Sequence, residues 1–242
     1  FRPCVSRRQW LETGRIDIAQ SEEALLACLS QKSRKHMRNS RKVGVEILPV
    51  TDLGEALKGY YCLREMRRKR GLPPMSQNEF EATFKQILKG QEFGILYNAY
   101  VRGVYLGSIW LLRNSWLALP AGYVLDHQTC YAVSKHTSFG LSLWWEGIRW
   151  AKSRGCAWLD VEGYSENMPI TDSRHNFHTF KGKFRPVPVL VIDQHQYVCS
   201  ATTYAVSRCT RIVERANSIL ASLPYQLRKL ALLSRGRRDG LE

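Results

Sequence analysis

The sequence contains none of the short strings that commonly identify an enzyme class. It has no Walker A loop, no G-x-G-x-x-G fingerprint, no G-x-S-x-G elbow and no H-E-x-x-H zinc motif. These absences remove the motif-based grounds for assigning a P-loop NTPase, a dinucleotide-binding enzyme, a serine hydrolase or a zinc protease. Any catalytic function must therefore be inferred from less regular patterns.

The sequence also lacks the cysteine and histidine spacings of a disulfide framework or a metal site. No C-x-x-C occurs, and His175 and His178 form an H-x-x-H pair without a third nearby ligand, which favours solvated or hydrogen-bonded histidines over a metal site. The cysteines are odd in number and widely spaced. We therefore expect scattered, reduced and mostly buried thiols, as in a cytoplasmic protein, and no metal. The seven are Cys4, Cys28, Cys62, Cys130, Cys156, Cys199 and Cys209.

Acidic residues are scarce relative to basic ones, and long apolar runs are missing. The chain has 36 Lys and Arg against 21 Asp and Glu, a net charge of +15. This excess favours an anionic partner: tRNA or another nucleic acid, phospholipid headgroups, or phosphorylated intermediates. No apolar run approaches the roughly 20 residues that cross a bilayer. The basic, amphipathic end of the chain predicts peripheral association with the inner face of a membrane, with a solvated helical end as the alternative.

The 242 residues, 44% of them hydrophobic and 24% charged, predict a globular protein with a substantial core. The mixed order of elements favours an α+β fold over a doubly wound sheet. From the amino terminus we predict an irregular segment (1–20), one helix or two abutting helices (21–44), a strand (45–50), two helices, three antiparallel strands with a turn at Arg102-Gly103, a helix (134–155), a strand (156–163), a loop or short helix, a strand (186–193) and a basic helical tail.

Three segments are expected. Residues 1–44 form an amino-terminal segment with a basic helix, residues 45–200 the main domain, and residues 201–242 the basic helical tail. The chain does not begin with Met, which indicates a fragment or a processed form.

Charged residues cluster around the predicted strand 156–163 and the string FHTFKGKF. Asp160 and Glu162 stand at the strand end, where a carboxylate can orient an amine or accept its proton; a capping carboxylate is the alternative. Lys181 lies between aromatic residues, where its ammonium could face a cleft and bind phosphate or an oxyanion; a solvent-facing turn lysine is the alternative.

The basic helix places Arg34, Arg38 and Arg41 at i, i+4 and i+7, so they share one face. Guanidinium groups match phosphate oxygens, which predicts phosphate contacts at the rim of a site. A solvated charged face is the alternative.

Four strings together resemble the Fem-like branch of the GNAT acyltransferases. They are KSRKHMRNSRKVGVEI, the helix and strand LSLWWEGIRWAKSRGCAWLDVEG, the spacer after it, and FKGKF, over about residues 30–195. The resemblance implies a GNAT-like, mixed and mostly antiparallel central sheet flanked by helices and splayed to admit an acyl donor. It also implies direct attack of an amine on an activated ester, with no covalent enzyme intermediate and no bound cofactor. The family lysine falls on Lys181, its aspartate on Asp160 and the following glycine on Gly163.

The chain departs from the family pattern at three places. Arg185 stands where the family usually has glycine after the FK string. Only one GNAT-like half is evident, which implies a missing amino-terminal half or a partner subunit. The helix begins SKHTSFGLS with one glycine in place of a pyrophosphate-binding loop; His136, Ser138 and Gly140 are the donor-binding candidates.

The resemblance implies an acyltransferase that moves an acyl or aminoacyl group onto a primary amine, in the assembly of peptidoglycan or other cell-envelope precursors, polysaccharide or lipid. The donor would be a charged tRNA, an acyl-CoA or an acyl-carrier protein. Two alternatives stay open: an acyl-CoA-dependent N-acyltransferase acting on a small amine, and a non-catalytic module that binds nucleic acid or a membrane surface. The remaining substrate-binding candidates are Lys183, Phe180, Gly163 and Tyr164.

Overall fold

The computed structural model describes most of the chain, and the described residues belong to two compact units. The larger unit comprises Gln9–Leu63 and Ser76–Val191, and the smaller comprises Phe1–Arg8, Arg64–Met75 and Ile192–Glu242. The described residues are 12–72, 75–89, 92–135, 137–172 and 174–190, with the backbone alone of 2–3 and 195–196.

The described helices and strands are mixed along the chain, with two pairs of consecutive helices before a run of three strands. In chain order they are β1 (Arg2–Pro3), β2 (Glu12–Asp17), α1 (Glu22–Cys28), α2 (Gln31–Lys42), β3 (Val45–Pro49), α3 (Leu53–Lys69), α4 (Gln77–Lys89), β4 (Gly94–Val101), β5 (Val104–Arg113), β6 (Leu117–Leu125), α5 (His127–Val133), α6 (Phe139–Ser153), β7 (Trp158–Asp160), α7 (His175–Gly182), β8 (Val187–Leu190) and β9 (His195–Gln196).

Seven strands form the central sheet of the larger unit, in the order β3-β4-β5-β6-β7-β2-β8. Every neighbouring pair is antiparallel except β6 and β7, which run parallel. A parallel pair needs a crossover connection, and α6 supplies it. The predicted mixed, mostly antiparallel sheet flanked by helices is confirmed.

Helix α6 carries the largest part of the core. The predicted apolar face is confirmed, since Trp144, Trp145 and Ile148 are all buried. The helix ends where predicted, because Gly155 adopts a positive φ of 77° that an L-residue with a side chain rarely adopts. The hairpin turn at Arg102-Gly103 is also confirmed, with both residues at positive φ between β4 and β5.

The segment expected to be irregular contains a strand that sequence reasoning missed. Strand β2 lies inside the sheet between β7 and β8, and it carries Thr13 and Arg15. The helical stretch after it is two helices, each with a serine N-cap: Ser21 accepts from Ala24 N–H and Ser30 from Ser33 N–H. Residues 12–44 therefore lie in the same compact unit as the strands and helices up to residue 63.

In the smaller unit, β1 and β9 pair in antiparallel fashion, and the last turns of α3 carry the ion pairs of Glu65 with Arg68 and Lys69. The predicted helical tail 201–242 lies outside the described residues. Within the described part of the chain, no helix combines the length and the apolar character that a membrane span requires.

Candidate functional site

The sheet opens between its two parallel strands. In the described structure β6 and β7 pair at only two positions, Leu117 with Trp158 and Ala118 with Leu159. Strand β7 then ends at Asp160, whereas β6 continues to Leu125. The end of β7, the turn after it and helix α7 form the candidate site, because Asp160, Glu162 and Lys181 meet there.

Asp160 is held in place by three groups. Its Oδ1 accepts from the Thr13 hydroxyl and, at 2.8 Å, from the Glu162 backbone N–H, and its Oδ2 lies 3.5 Å from Arg15 Nε. The residue is 9% exposed. These contacts match the alternative of a carboxylate that fixes the following turn. Thr13 and Arg15 were missed by sequence reasoning; the alternation of Ile16 and Ile18 was the available signal for their strand.

Lys181 is buried in the protein, so the expectation of an ammonium that faces a cleft is wrong. The residue lies in the last turn of α7, is 2% exposed, and its Nζ donates to the carbonyls of Glu162 and of Gly163, the latter at 3.0 Å. The third donor position faces Phe177, whose ring centroid is 4.1 Å away. Burial lowers the pKa of Lys181 to about 8, although Glu162 and Asp160 act in the opposite direction.

The turn that Lys181 holds is unusual because two consecutive residues have positive φ. Glu162 is at 51° and Gly163 at 35°. A left-handed conformation costs a residue with a side chain roughly 1 kcal/mol or more, so the hydrogen bonds from Lys181 offset part of that cost. The Glu162 side chain is exposed at the rim. Of the two predicted carboxylates, Glu162 is therefore the one that an incoming substrate can reach.

His178 and Tyr164 line the inner side of the same turn. Their rings stack at a centroid distance of 6.1 Å, and His178 Nδ1 accepts from the Ser165 backbone N–H at 2.9 Å. Burial, and then the charge of Lys181, lower the pKa of His178. The neighbouring His175 Nδ1 contacts the Met168 carbonyl, so the two histidines use different backbone partners. No group of three potential metal ligands occurs among the described residues.

Phe180 belongs to an aromatic cluster that packs α7 against α6 and β6. It stacks on Tyr123 at 5.7 Å and meets Trp144 edge-on at 5.8 Å. Phe184 stacks on Trp144 at 5.8 Å. Phe180 is thus a packing residue in this structure, and the cluster determines where α7 places Lys181.

The three arginines predicted to share one face of α2 differ in their contacts and exposure. Arg34 donates to the carbonyls of Leu26, Ala27 and Leu29, so it caps the end of α1. Arg38 and Arg41 are exposed. The three arginines therefore differ in their surroundings, with Arg34 bonded to the end of α1 and Arg38 and Arg41 open to solvent.

Lys183 lies near α2. Its Nζ is 5.4 Å from the Phe180 ring centroid, and burial of this ammonium, followed by the charge of Lys32, lowers its pKa. Lys183 and Lys32 therefore form one positive area beside the aromatic cluster.

The donor-binding candidates lie at the start of α6. Gly140 is buried, and a Cβ there would lie 2.1 Å from the Tyr123 hydroxyl. The Ser138 side chain makes no capping hydrogen bond. His136 lies outside the described residues. The glycine is thus explained by close packing of α6 on β6.

Comparison with known proteins finds similarity in structure alone. No protein-family model and no curated protein matches the sequence. FemX superposes with a TM-score of 0.65 at 10% identity, over 81% of this chain and 64% of that chain. A conserved protein of unknown function from Bacteroides thetaiotaomicron and the C-terminal domain of a putative lysylphosphatidylglycerol synthetase from Agrobacterium fabrum each give a TM-score of 0.50 at 12% identity, over 76% of this chain and 59% of theirs.

The chain thus spans about three fifths of the length of these structures. Identities this low establish a shared fold and no shared activity. The architecture that they share with this chain is the GNAT-like α+β fold, with a mixed and mostly antiparallel sheet.

Proposed function

We propose that the protein is a Fem-like acyltransferase that moves an acyl or aminoacyl group onto a primary amine, in cell-envelope precursor assembly. The observation that carries the proposal is the opening between β6 and β7, which has Glu162 at its rim and the Asp160–Lys181 turn beneath it. Two structures with a similar fold, FemX and the C-terminal domain of a putative lysylphosphatidylglycerol synthetase, have names that agree with this class.

The reaction assigns different roles to the two carboxylates. The nitrogen of the acceptor amine bonds to the acyl carbonyl carbon, and the ester C–O bond of a charged tRNA, or the C–S bond of a thioester, breaks. Glu162, which is exposed, accepts the proton that the amine loses, and the leaving group takes up a proton from water. Holding both reactants at the opening supplies a large part of the rate.

Lys181 and Asp160 act as positioning residues. Lys181 binds the carbonyls of residues 162 and 163, and Asp160 binds the N–H of residue 162. Together they fix the backbone on both sides of the Glu162 side chain. Loss of either group would displace the carboxylate without removing it.

A transfer assay with matched variants tests the proposal. Charged tRNA and acyl-CoA donors are offered separately with a set of primary amines, and product is measured for wild type, Glu162→Gln and Glu166→Gln. Glu166 is also an exposed carboxylate of the loop after β7, so its variant removes the same charge nearby. We expect Glu162→Gln to lower transfer by at least about 100-fold, with an unchanged melting temperature, and Glu166→Gln to retain it.

The donor decides between the alternatives. Transfer from charged tRNA supports the Fem-like assignment, and transfer from acyl-CoA alone replaces it with the N-acyltransferase. Absence of transfer from both donors, with salt-sensitive binding of RNA or anionic vesicles, would overturn the enzymatic proposal in favour of a binding module.

A further inference from the structure

A groove lies beside edge strand β3, away from the candidate site at the end of β7. Edge strand β3 forms one wall and the start of α3 the other, around a cavity of about 410 Å³. That volume falls within the range of small-molecule sites. Strands β4, β5 and β6 separate β3 from β7 in the sheet, so this β3–α3 groove is distinct from the site at the end of β7.

The floor of the groove is a fixed polar network. Asn98 is 1% exposed; its amide group donates to the Glu55 carbonyl at 2.9 Å and to the Tyr100 hydroxyl at 3.1 Å, and its oxygen accepts from Ser108 at 2.6 Å. Ser108 is in turn 2.6 Å from the Tyr105 hydroxyl. Buried and fully bonded groups of this kind hold a surface in one geometry. The floor is therefore rigid before any ligand arrives.

One position on this floor already holds a cation. The Lys58 ammonium lies 2.6 Å from the Glu55 carboxylate and 5.4 Å from the ring centroid of Tyr100. The Tyr100 hydroxyl donates to the other oxygen of Glu55. The hydrogen bonds from Lys58 and Tyr100 lower the pKa of Glu55, so the carboxylate is charged at neutral pH. A carboxylate beside an aromatic face is a recognised arrangement for binding ammonium groups.

The Lys58 side chain is not buried at this position, because 44% of it is exposed and its ion pair with Glu55 joins neighbouring turns of α3. A ligand ammonium can therefore take its place while Lys58 turns to solvent. The rest of the groove suits an organic cation. Leu48, which is 50% exposed, offers an apolar wall, and the exposed carboxylates of Glu46 and Asp52 form no ion pair within the described structure.

We propose that the β3–α3 groove binds an organic cation with primary ammonium groups, one of which replaces the Lys58 ammonium between Glu55 and the Tyr100 ring. The lining has three carboxylates against one lysine, in a chain whose net charge is +15. This local reversal of sign selects a cation over the anions that the rest of the surface attracts. The site is independent of the proposed transfer reaction and requires no acyl donor.

Calorimetric titration of the purified full chain with spermidine tests the proposal, with 1-butanol as the uncharged control. Lys58→Met removes the resident ammonium and is expected to tighten binding by about 3- to 10-fold. Glu55→Gln keeps an acceptor for Tyr100 and removes the charge; it is expected to weaken binding by about 10-fold or more. Glu81→Gln removes an equal charge from α4 and serves as the matched control, with unchanged affinity.

Saturable one-to-one binding of spermidine with this order of affinities supports the site. Absence of saturable binding would overturn it. Equal weakening in Glu55→Gln and Glu81→Gln would also overturn it, since that result indicates general attraction to the charge of the chain. Weaker binding in Lys58→Met would show that the lysine is a contact rather than a resident competitor, and would remove the proposed ammonium position. None of these results depends on acyl transfer.

Discussion

Lys181 is a buried cation at the candidate site. It is almost fully buried, yet its ammonium has two carbonyls and a ring face as partners instead of a carboxylate. Taking the charge out of water costs more than these partners return, which is why its pKa falls to about 8 from an ordinary value of 10.5. Burial of the Lys181 charge therefore lowers the stability of the folded chain, while the hydrogen bonds from Lys181 define the turn at Glu162.

This cost predicts how stability depends on pH. Between pH 8 and 10.5 the unfolded chain keeps the Lys181 proton while the folded chain releases it, so stability rises with pH across that window. Below pH 8 both states hold the proton and the dependence disappears. Relative to Lys181→Met, we expect wild type to gain on the order of 1–2 kcal/mol between pH 7.5 and 9.5, measured by urea denaturation.

The control is Lys35→Met, which removes an exposed lysine from α2. Its stability should follow that of wild type across the same pH range. Parallel curves for wild type and Lys181→Met would contradict the lowered pKa of Lys181.

For single residues, the sequence predicted which charged side chains lie together better than it predicted what each of them does. The motif placed Asp160, Glu162 and Lys181 together, and the structure confirms that they meet. Their roles could not be read from the sequence because they depend on partners far along the chain: Thr13 lies 147 positions from Asp160. The sequence also gave no sign of the pairing of Glu55 with Tyr100, 45 positions apart.

At the scale of elements, the start of α6 is determined by its contact with β6. The position of Gly140 against the Tyr123 hydroxyl leaves no room for a side chain. A glycine at a helix start resembles part of a ligand-binding loop in sequence. The structure shows that close packing on Tyr123 also requires a glycine here.

This packing predicts a coupled pair of substitutions. Gly140→Ala should destabilise the protein by about 1–3 kcal/mol, because the new methyl group overlaps the Tyr123 oxygen. In a Tyr123→Phe background, which lacks that oxygen, the same substitution should cost less. Denaturant unfolding of the four proteins measures the difference. Equal costs in both backgrounds would indicate that the new methyl group is limited by Leu125, whose Cδ1 lies 3.2 Å from the Cβ position, and not by the Tyr123 oxygen.

Strand β2 shows why some elements escape prediction. It is short, its first four residues, ETGR, have little apolar character, and it follows a polar segment. It forms a strand because it pairs with β7 on one side and with β8 on the other. These two partners are in position only in the assembled sheet.

At the scale of the whole molecule, helix α2 is a region of positive charge that no acidic residue of the helix balances. Helix α2 contains no acidic residue, and within the described structure its exposed Lys32, Lys35 and Arg38 form no ion pair with an acidic residue. A net charge of +15 opposes compaction through self-repulsion. Salt screens this repulsion over roughly 10 Å at 0.1 M.

We therefore expect the melting temperature to rise by a few degrees between 0.05 and 0.5 M KCl, since net repulsion outweighs the exposed ion pairs. The triple variant Lys32→Gln, Lys35→Gln, Arg38→Gln should show a smaller rise. Differential scanning calorimetry measures both. A melting temperature that falls with salt would mean that attractive ion pairs dominate instead.

The sequence by itself determined the α+β class, the hairpins, the apolar face of α6 and the helix ends at glycine, because periodicity and turn chemistry are local properties. It also placed the charged residues that meet at the end of β7. Only the tertiary structure decided that Lys181 is buried, that Arg34 caps a helix, that Glu162 is more accessible than Asp160 and that Lys58 lies beside the Tyr100 ring. These features depend on burial and on long-range partners, which arise when the sheet assembles.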